Sequence, residues 1–247
     1  DRWDRFNQIR RKLIYSKRFN DLLQKMGYDR YSENIMMPES QLLTIYATPD
    51  ELNYHQIKQR PWFNLEVFNI NKKNSTIDLE DLVPSEFLQD SLQDKYSGKL
   101  VYLSLGSMGS VDLSLMNRLV QVLGKTPHKY IVSKGPSHSE LQLAKNMWGE
   151  RYLPQTKIVP FVDAVITHGG NNTVTETFVA GKPMLVMPLF ADQFDNAQRL
   201  EETGLGARID PYQFEDHKLV ETLNKLLFDQ QLHHKLTHAA ARIHSSN

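Results

Sequence analysis

Three short runs in this sequence carry the residue types that hold an anionic, hydroxyl-rich ligand. The richest is Thr167-His168-Gly169-Gly170-Asn171-Asn172-Thr173-Val174-Thr175-Glu176. An apolar run ends at His168, two glycines follow, and a helix-forming stretch begins after them. Paired glycines clear space at a helix N-terminus, where free N–H groups and the helix dipole favour a diphosphate. His168 can donate to a phosphate oxygen, with Asn172 and Thr173 as further donors beside it. A purely local alternative stands next to this one: Thr173 and Glu176 have capping-box spacing, in which the carboxylate only serves the first turn. A second run, Leu105-Gly106-Ser107-Met108-Gly109-Ser110, offers glycines for close backbone approach and hydroxyls for phosphate. It lacks the lysine of a P-loop and the third glycine of a dinucleotide fingerprint. The third run spans Pro188–Asn196 and carries Asp192 and Gln193. A carboxylate accepts from sugar hydroxyls and an amide both donates and accepts; the local alternative for Asp192 is a helix N-cap.

Each run sits where a predicted strand hands over to a predicted helix. Strands are read at 99–105, 128–133, near 151–153, 163–168, 183–189 and 205–209. Helices are read at 111–124, 139–147, 172–181, 192–204 and 214–228, several closed by a glycine such as Gly124 or Gly181. This alternation predicts an α/β fold with parallel βαβ units and helices on both faces. Such sheets bind ligands at the carboxyl ends of their strands. Ahead of this region lie residues 1–30, read as a domain helix with an apolar core stripe and a solvated basic face or, alternatively, as a basic amphipathic helix for a membrane surface or an anionic partner, then a short strand at 41–47 and a polar stretch at 71–86 that reads as an interdomain linker.

Composition narrows the classes. The 247 residues contain 29 Lys+Arg against 29 Asp+Glu, so no overall charge recruits nucleic acid. The absence of cysteine removes thiolate metal sites, Cys nucleophiles and disulfides. No run reaches the 18 or so apolar residues of a membrane span. With no signal pattern either, a cytoplasmic location is expected.

The 42-residue run from Tyr152 to Gln193, YLPQTKIVPFVDAVITHGGNNTVTETFVAGKPMLVMPLFADQ, resembles the signature of the UDP-glycosyltransferases. That signature has an aromatic, a Pro-Gln pair, a His-x-Gly strand end, a downstream Glu and a terminal Asp-Gln. The preceding VYLSLGSMGS resembles the opening strand and phosphate loop of the family's donor domain. The likeness covers about residues 99–230, and residues 1–70 are similar, more loosely, to the end of the acceptor domain. It implies a GT-B fold, Rossmann-like, with an incomplete N-terminal domain over 1–83 and a UDP-sugar-binding domain over 84–247. By this resemblance Tyr152, a Trp in most members, stacks on uracil, and Gln155 lies near the base and ribose. Ser107, His168, Gly170, Asn172 and Thr173 meet the diphosphate, Glu176 takes the ribose hydroxyls, and Asp192 and Gln193 take those of the sugar.

The implied activity is transfer of a hexosyl group from a UDP-sugar to a hydroxyl of a small lipophilic acceptor, with inversion. No metal is implied: the chain has no Asp-x-Asp pair, and a helix N-terminus with His168 can meet charge on departing UDP. No cofactor is implied beyond the UDP-sugar co-substrate. One departure stands out. The family's general base is an acceptor-domain His, and residues 1–100 hold only His55, in the unlike context PDELNYHQ. The chain therefore reads as the donor half alone, binding UDP-sugar but transferring poorly. The alternatives are a non-catalytic nucleotide-sugar-binding subunit needing a separate acceptor-domain partner, and a sugar-nucleotide epimerase. The His233, His234, His238 and His244 group reads as a solvated helix face rather than a zinc site.

Overall fold

A computed structural model of the chain describes residues 17–31, 40, 42–53, 62–67, 78–92 and 98–246. The chain divides into two compact units, Asp1–Ile45 with Gln56–Phe63, and Tyr46–His55 with Asn64–Asn247. In the first unit, residues 17–25 are helical, as the periodicity predicts; residues 1–16 of the same predicted helix lie outside the described residues. The Asn20 amide closes a loop by donating to the Tyr31 carbonyl and accepting from its N–H, both at 2.9 Å. Leu22 and Met26, expected in a core stripe, are instead exposed.

The second unit is built on one parallel sheet of six strands: β1 (Leu100–Ser104), β2 (Lys129–Ser133), β3 (Met147–Glu150), β4 (Ala164–Thr167), β5 (Met184–Val186) and β6 (Gly206–Arg208). Their order is β3-β2-β1-β4-β5-β6, and every neighbouring pair is parallel. Val101, Leu103, Ile131, Val165, Ile166 and Leu185 are fully buried. That is the pattern of a sheet covered on both faces, and it explains why these strands read as near-continuous apolar runs. The covering helices are α1 (Leu113–Leu123), α2 (Asn171–Val179), α3 (Gln193–Thr203), α4 (Asp216–Phe228) and α5 (Gln230–Ser246). Asp112 caps α1 by accepting from the Leu115 N–H at 3.0 Å. Gly204, left-handed at φ +66°, stops α3.

The α5 helix packs against α2. It is also pinned by Arg242, whose guanidinium meets Glu51 at 2.9 and 2.7 Å and Glu66 at 2.9 and 2.7 Å. Two forked pairs on one arginine fix its geometry. Arg242 holds the Glu66 carboxyl below the ordinary carboxylate range against an opposing push from burial.

Two predicted elements differ from the structure. The span 139–147 is not helical: it runs through turns closed by His138 N–H to Gly135 O and Glu140 N–H to Ser137 O, then an irregular stretch and a further turn closed by Met147 N–H to Ala144 O. The strand expected near 151–153 lies earlier, at Met147–Glu150, where Met147 pairs with Tyr130 and Trp148 with Ile131. The Asn146 amide supplies the reason, donating to the carbonyls of Leu123, Thr126 and His128 and so fixing where β3 must begin. Of the predicted linker, 71–77 lies outside the described residues, 79–81 forms a 3₁₀ turn and Ser85–Leu92 a helix.

Candidate functional site

Strand order reverses between β1 and β4, the point at which doubly wound sheets open a ligand crevice. Their carboxyl ends are level, Ser104 beside Thr167, so two of the three sequence runs lie together there. The His168 ring fills the gap between them. A Cβ on Gly106 would come within 2.9 Å of the imidazole Cε1 and Nε2, and a Cβ on Gly170 within 2.7 Å of Nε2. Both glycines are therefore required by the ring, and Gly106 also needs its φ of +71°. Burial holds the His168 pKa below the ordinary histidine value; the Asp192 charge and a Ser104 backbone hydrogen bond offset part of that. The ring is neutral at pH 7 and can still donate one N–H.

Of the two hydroxyls in the first loop, Ser107 is exposed and Ser110 is not. Ser110 is buried and donates to the Gly106 carbonyl. It occupies the space that a Cβ on Gly135 would need. Ser110 therefore shapes the loop, and Ser107 is the hydroxyl open to a ligand.

Beyond His168, the N-cap of α2 is Gly170, in extended conformation and with no side chain capping the first turn. The capping-box alternative is thereby set aside. Thr173 is the third helical residue, and Glu176 turns to Gln155, whose Nε2 donates to Glu176 Oε2 at 2.6 Å and to Thr173 Oγ1 at 3.2 Å. Pro154 precedes Gln155 at the start of the short helix Gln155–Ile158, which sets the amide facing α2. Asn172 is exposed on the same first turn. Tyr152 is 59% exposed, with the Arg151 guanidinium 5.2 Å from its ring centroid. One face of that ring is thus already covered by a cation.

The third run is a tight turn into α3. Ala191 has φ +54°, an uncommon conformation for a residue with a side chain. Asp192 takes the N-cap position without capping. Its Oδ2 instead accepts from Asn196 Nδ2 at 3.2 Å, and the same Nδ2 donates to the Gly169 carbonyl at 2.9 Å. Gln193 is only 3% exposed. Its Oε1 accepts from the Leu189 and Phe190 N–H groups at 2.9 and 3.0 Å, so only the Nε2 side of its amide remains to face a ligand. Asn196 was not singled out by sequence; its position four residues after Asp192 was the available signal.

The histidines near the C-terminus divide. His233 Nε2 lies 3.1 and 3.2 Å from the Leu226 and Leu227 carbonyls at the end of α4, and His244 Nε2 lies 3.2 Å from the Val179 carbonyl. His234 and His238 line a cleft of about 370 Å³ with Glu51, Leu205 and Lys235. Among the described residues, no three His, Cys, Asp or Glu side chains are grouped to hold a metal ion. Nor is any helix among them long and apolar enough to cross a membrane. His55, the sole histidine before residue 100, lies outside the described residues.

A six-stranded parallel sheet in this order, with helices on both faces and a glycine-flanked histidine at its switch point, defines a Rossmann-like α/β fold. The model of the UDP-glucoronosyl and UDP-glucosyl transferase family matches residues 81–246, and the chain belongs to that family. UDP-glucuronosyltransferase 1A6 of Oryctolagus cuniculus is 34% identical over 138 residues, covering 53% of this chain and 25% of that protein. Homo sapiens UDP-glucuronosyltransferase 1A9 is 34% identical over 137 residues with the same coverage. The chain thus spans about a quarter of the length of the curated relatives it matches. Among solved structures, the glycosyltransferase of kitacinnamycin superposes with a TM-score of 0.70 at 20% identity, over 93% of this chain and 57% of that one. The calicheamicin glycosyltransferase CalG4 gives 0.64 at 22%, over 93% and 56%. SsfS6 of Streptomyces sp. SF2575, complexed with thymidine diphosphate, gives 0.63 at 17%, over 93% and 54%. These likenesses establish the expected fold, a GT-B-type parallel sheet with helices on both faces.

Proposed function

We propose that this chain carries the donor-binding part of a UDP-glycosyltransferase that moves a hexosyl group from a UDP-sugar to a hydroxyl of a small lipophilic acceptor. The observation that carries the reading is the His168 ring, seated between Gly106 and Gly170 beside the uncapped start of α2. In this reading the diphosphate rests on the first-turn N–H groups of α2, with Ser107, His168, Asn172 and Thr173 as donors. The Gln155–Glu176 pair takes the base and ribose, and Tyr152 stacks on uracil with the ring face that Arg151 does not cover. Asp192 and the Gln193 Nε2 group meet the sugar hydroxyls.

The acceptor oxygen forms its bond to the anomeric carbon as the bond to UDP breaks on the opposite side, which inverts that centre. The hydroxyl proton passes to a base, and the bonding electron pair leaves with UDP. The charge developing on the diphosphate is met by the helix dipole, His168 and the hydroxyls, a donor set that serves without a metal or cofactor. One such donor is worth about 2.7–4 kcal/mol of barrier. The base belongs to an acceptor-side segment, and we infer that residues 1–83 are the tail of that half and its linker. The lone His55 among residues 1–100 supports the donor-half reading.

Titration calorimetry with UDP tests the assignment. His168→Ala should weaken UDP binding at least tenfold, about one charge-assisted hydrogen bond, while the circular dichroism stays unchanged. Wild-type UDP affinity in that variant would refute it.

A further inference from the structure

The side chain of Asn196 uses both of its amide hydrogens inside the site. One goes to the Gly169 carbonyl at 2.9 Å, the other to Asp192 Oδ2 at 3.2 Å. Both partners are acceptors, so the amide orientation is fixed and no hydroxyl or carboxylate could replace it. Gly169 is the residue between His168 and Gly170, left-handed at φ +84°, and a Cβ there would meet Val186 Cγ1 at 2.5 Å. Its carbonyl direction is therefore set by a turn with no slack. Asp192 is the opposite case: it is exposed, follows the strained Ala191 and caps nothing. The Asn196 hydrogen bond is what gives this carboxylate a direction.

We propose that Asn196 is a positioning residue that ties the Asp192 carboxylate to the His168–Gly170 turn and so couples recognition of the donor's sugar to recognition of its diphosphate. This rests on the donor-site reading above. Asn196 itself touches neither part of the ligand; it aims one contact from the backbone of the other. Loss of the tether should leave UDP binding nearly intact, because His168 and the α2 N-terminus remain. It should weaken a UDP-hexose, which also needs Asp192.

The test compares dissociation constants for UDP, UDP-glucose and UDP-glucuronate by calorimetry on the full chain, using whichever nucleotide sugar the wild type binds better. Asn196→Ala should raise the ratio of nucleotide-sugar to UDP dissociation constants about tenfold, the worth of one hydrogen bond to a charged group. Asn196→Asp keeps the shape but sets a carboxylate against the Gly169 carbonyl and Asp192; it should do the same and guards against a packing defect in the alanine variant. In an Asp192→Ala background, Asn196→Ala should add nothing to the ratio, since the two act as one unit. Proportional loss of UDP and nucleotide-sugar binding, an unchanged ratio, or additive effects of the two substitutions would each overturn the positioning role. Failure of the wild type to bind UDP would overturn the donor-site reading beneath it.

Discussion

Within the proposed donor site, Gln193 offers a way to separate the architecture of the sugar-facing turn from its contacts. Its Oε1 takes the Leu189 and Phe190 N–H groups at 2.9 and 3.0 Å in a turn where the side chain is 3% exposed. Gln193→Ala strips the partner from both amides. Each part-buried amide left unpaired costs up to about 1–3 kcal/mol, which gives about 2–5 kcal/mol for the pair after partial rescue by water. At about 2–4 °C per kcal/mol for a domain of this size, the melting temperature should fall by about 4–20 °C. Gln193→Glu keeps an oxygen where Oε1 sits and removes only the Nε2 donors. Two backbone N–H groups are good partners for a carboxylate, so most of the melting temperature should survive. UDP binding should persist in the Glu variant, while nucleotide-sugar binding falls about tenfold for the missing donor. Thermal melts followed by circular dichroism, with calorimetry on the folded variants, read both effects. An alanine variant melting within about 1 °C of wild type would show that the amide does not hold the turn, and the reasoning would fail.

Two further expectations concern charge. The neutral His168 gains a proton more readily beside a bound diphosphate, so binding takes up a proton as pH falls through the histidine range. Relative to His168→Gln, wild-type UDP affinity should therefore rise between about pH 7 and pH 5, by up to tenfold per unit of pKa displacement; parallel pH profiles would exclude a direct role for the ring. Arg242→Ala leaves Glu51 and Glu66 facing each other, half-shielded from water. It should cost about 1–3 kcal/mol in urea denaturation at pH 7, allowing for solvent screening. Because the Glu66 pKa is depressed in the folded state, its contribution is present above the ordinary carboxylate range and lost as pH falls below about 4.5. The gap between wild type and variant should therefore narrow toward pH 3, and a constant gap would contradict the ion-pair account.

What the sequence reveals here depends on how local the cause is. Strands β1, β2, β4 and β5 are legible because burial on both faces forces unbroken runs such as LVYLS and AVIT, and the helices between them carry a 3.6-residue apolar stripe. The pair of glycines around His168 is legible as a place where backbone must come close, but the object they make room for is not. That object is the imidazole itself, and it is revealed only when β1 and β4 lie side by side. The false helix at 139–147 has the same origin. Leu141 and Met147 are both buried, yet the chain between them is not helical: it closes a turn from Ala144 to Met147, where the Asn146 amide reaches three distant carbonyls. Asn196 and Gln193 extend the point to chemistry. Gln193 is legible as a polar group at a helix start, but its hold on the Leu189 and Phe190 amides of its own turn is not; Asn196 looks like an ordinary helix residue and owes its role to a carbonyl 27 residues away. Side chains that touch a ligand announce themselves by type and spacing. Those that aim the ligand's contacts answer to backbone groups, which every residue has and no sequence pattern marks.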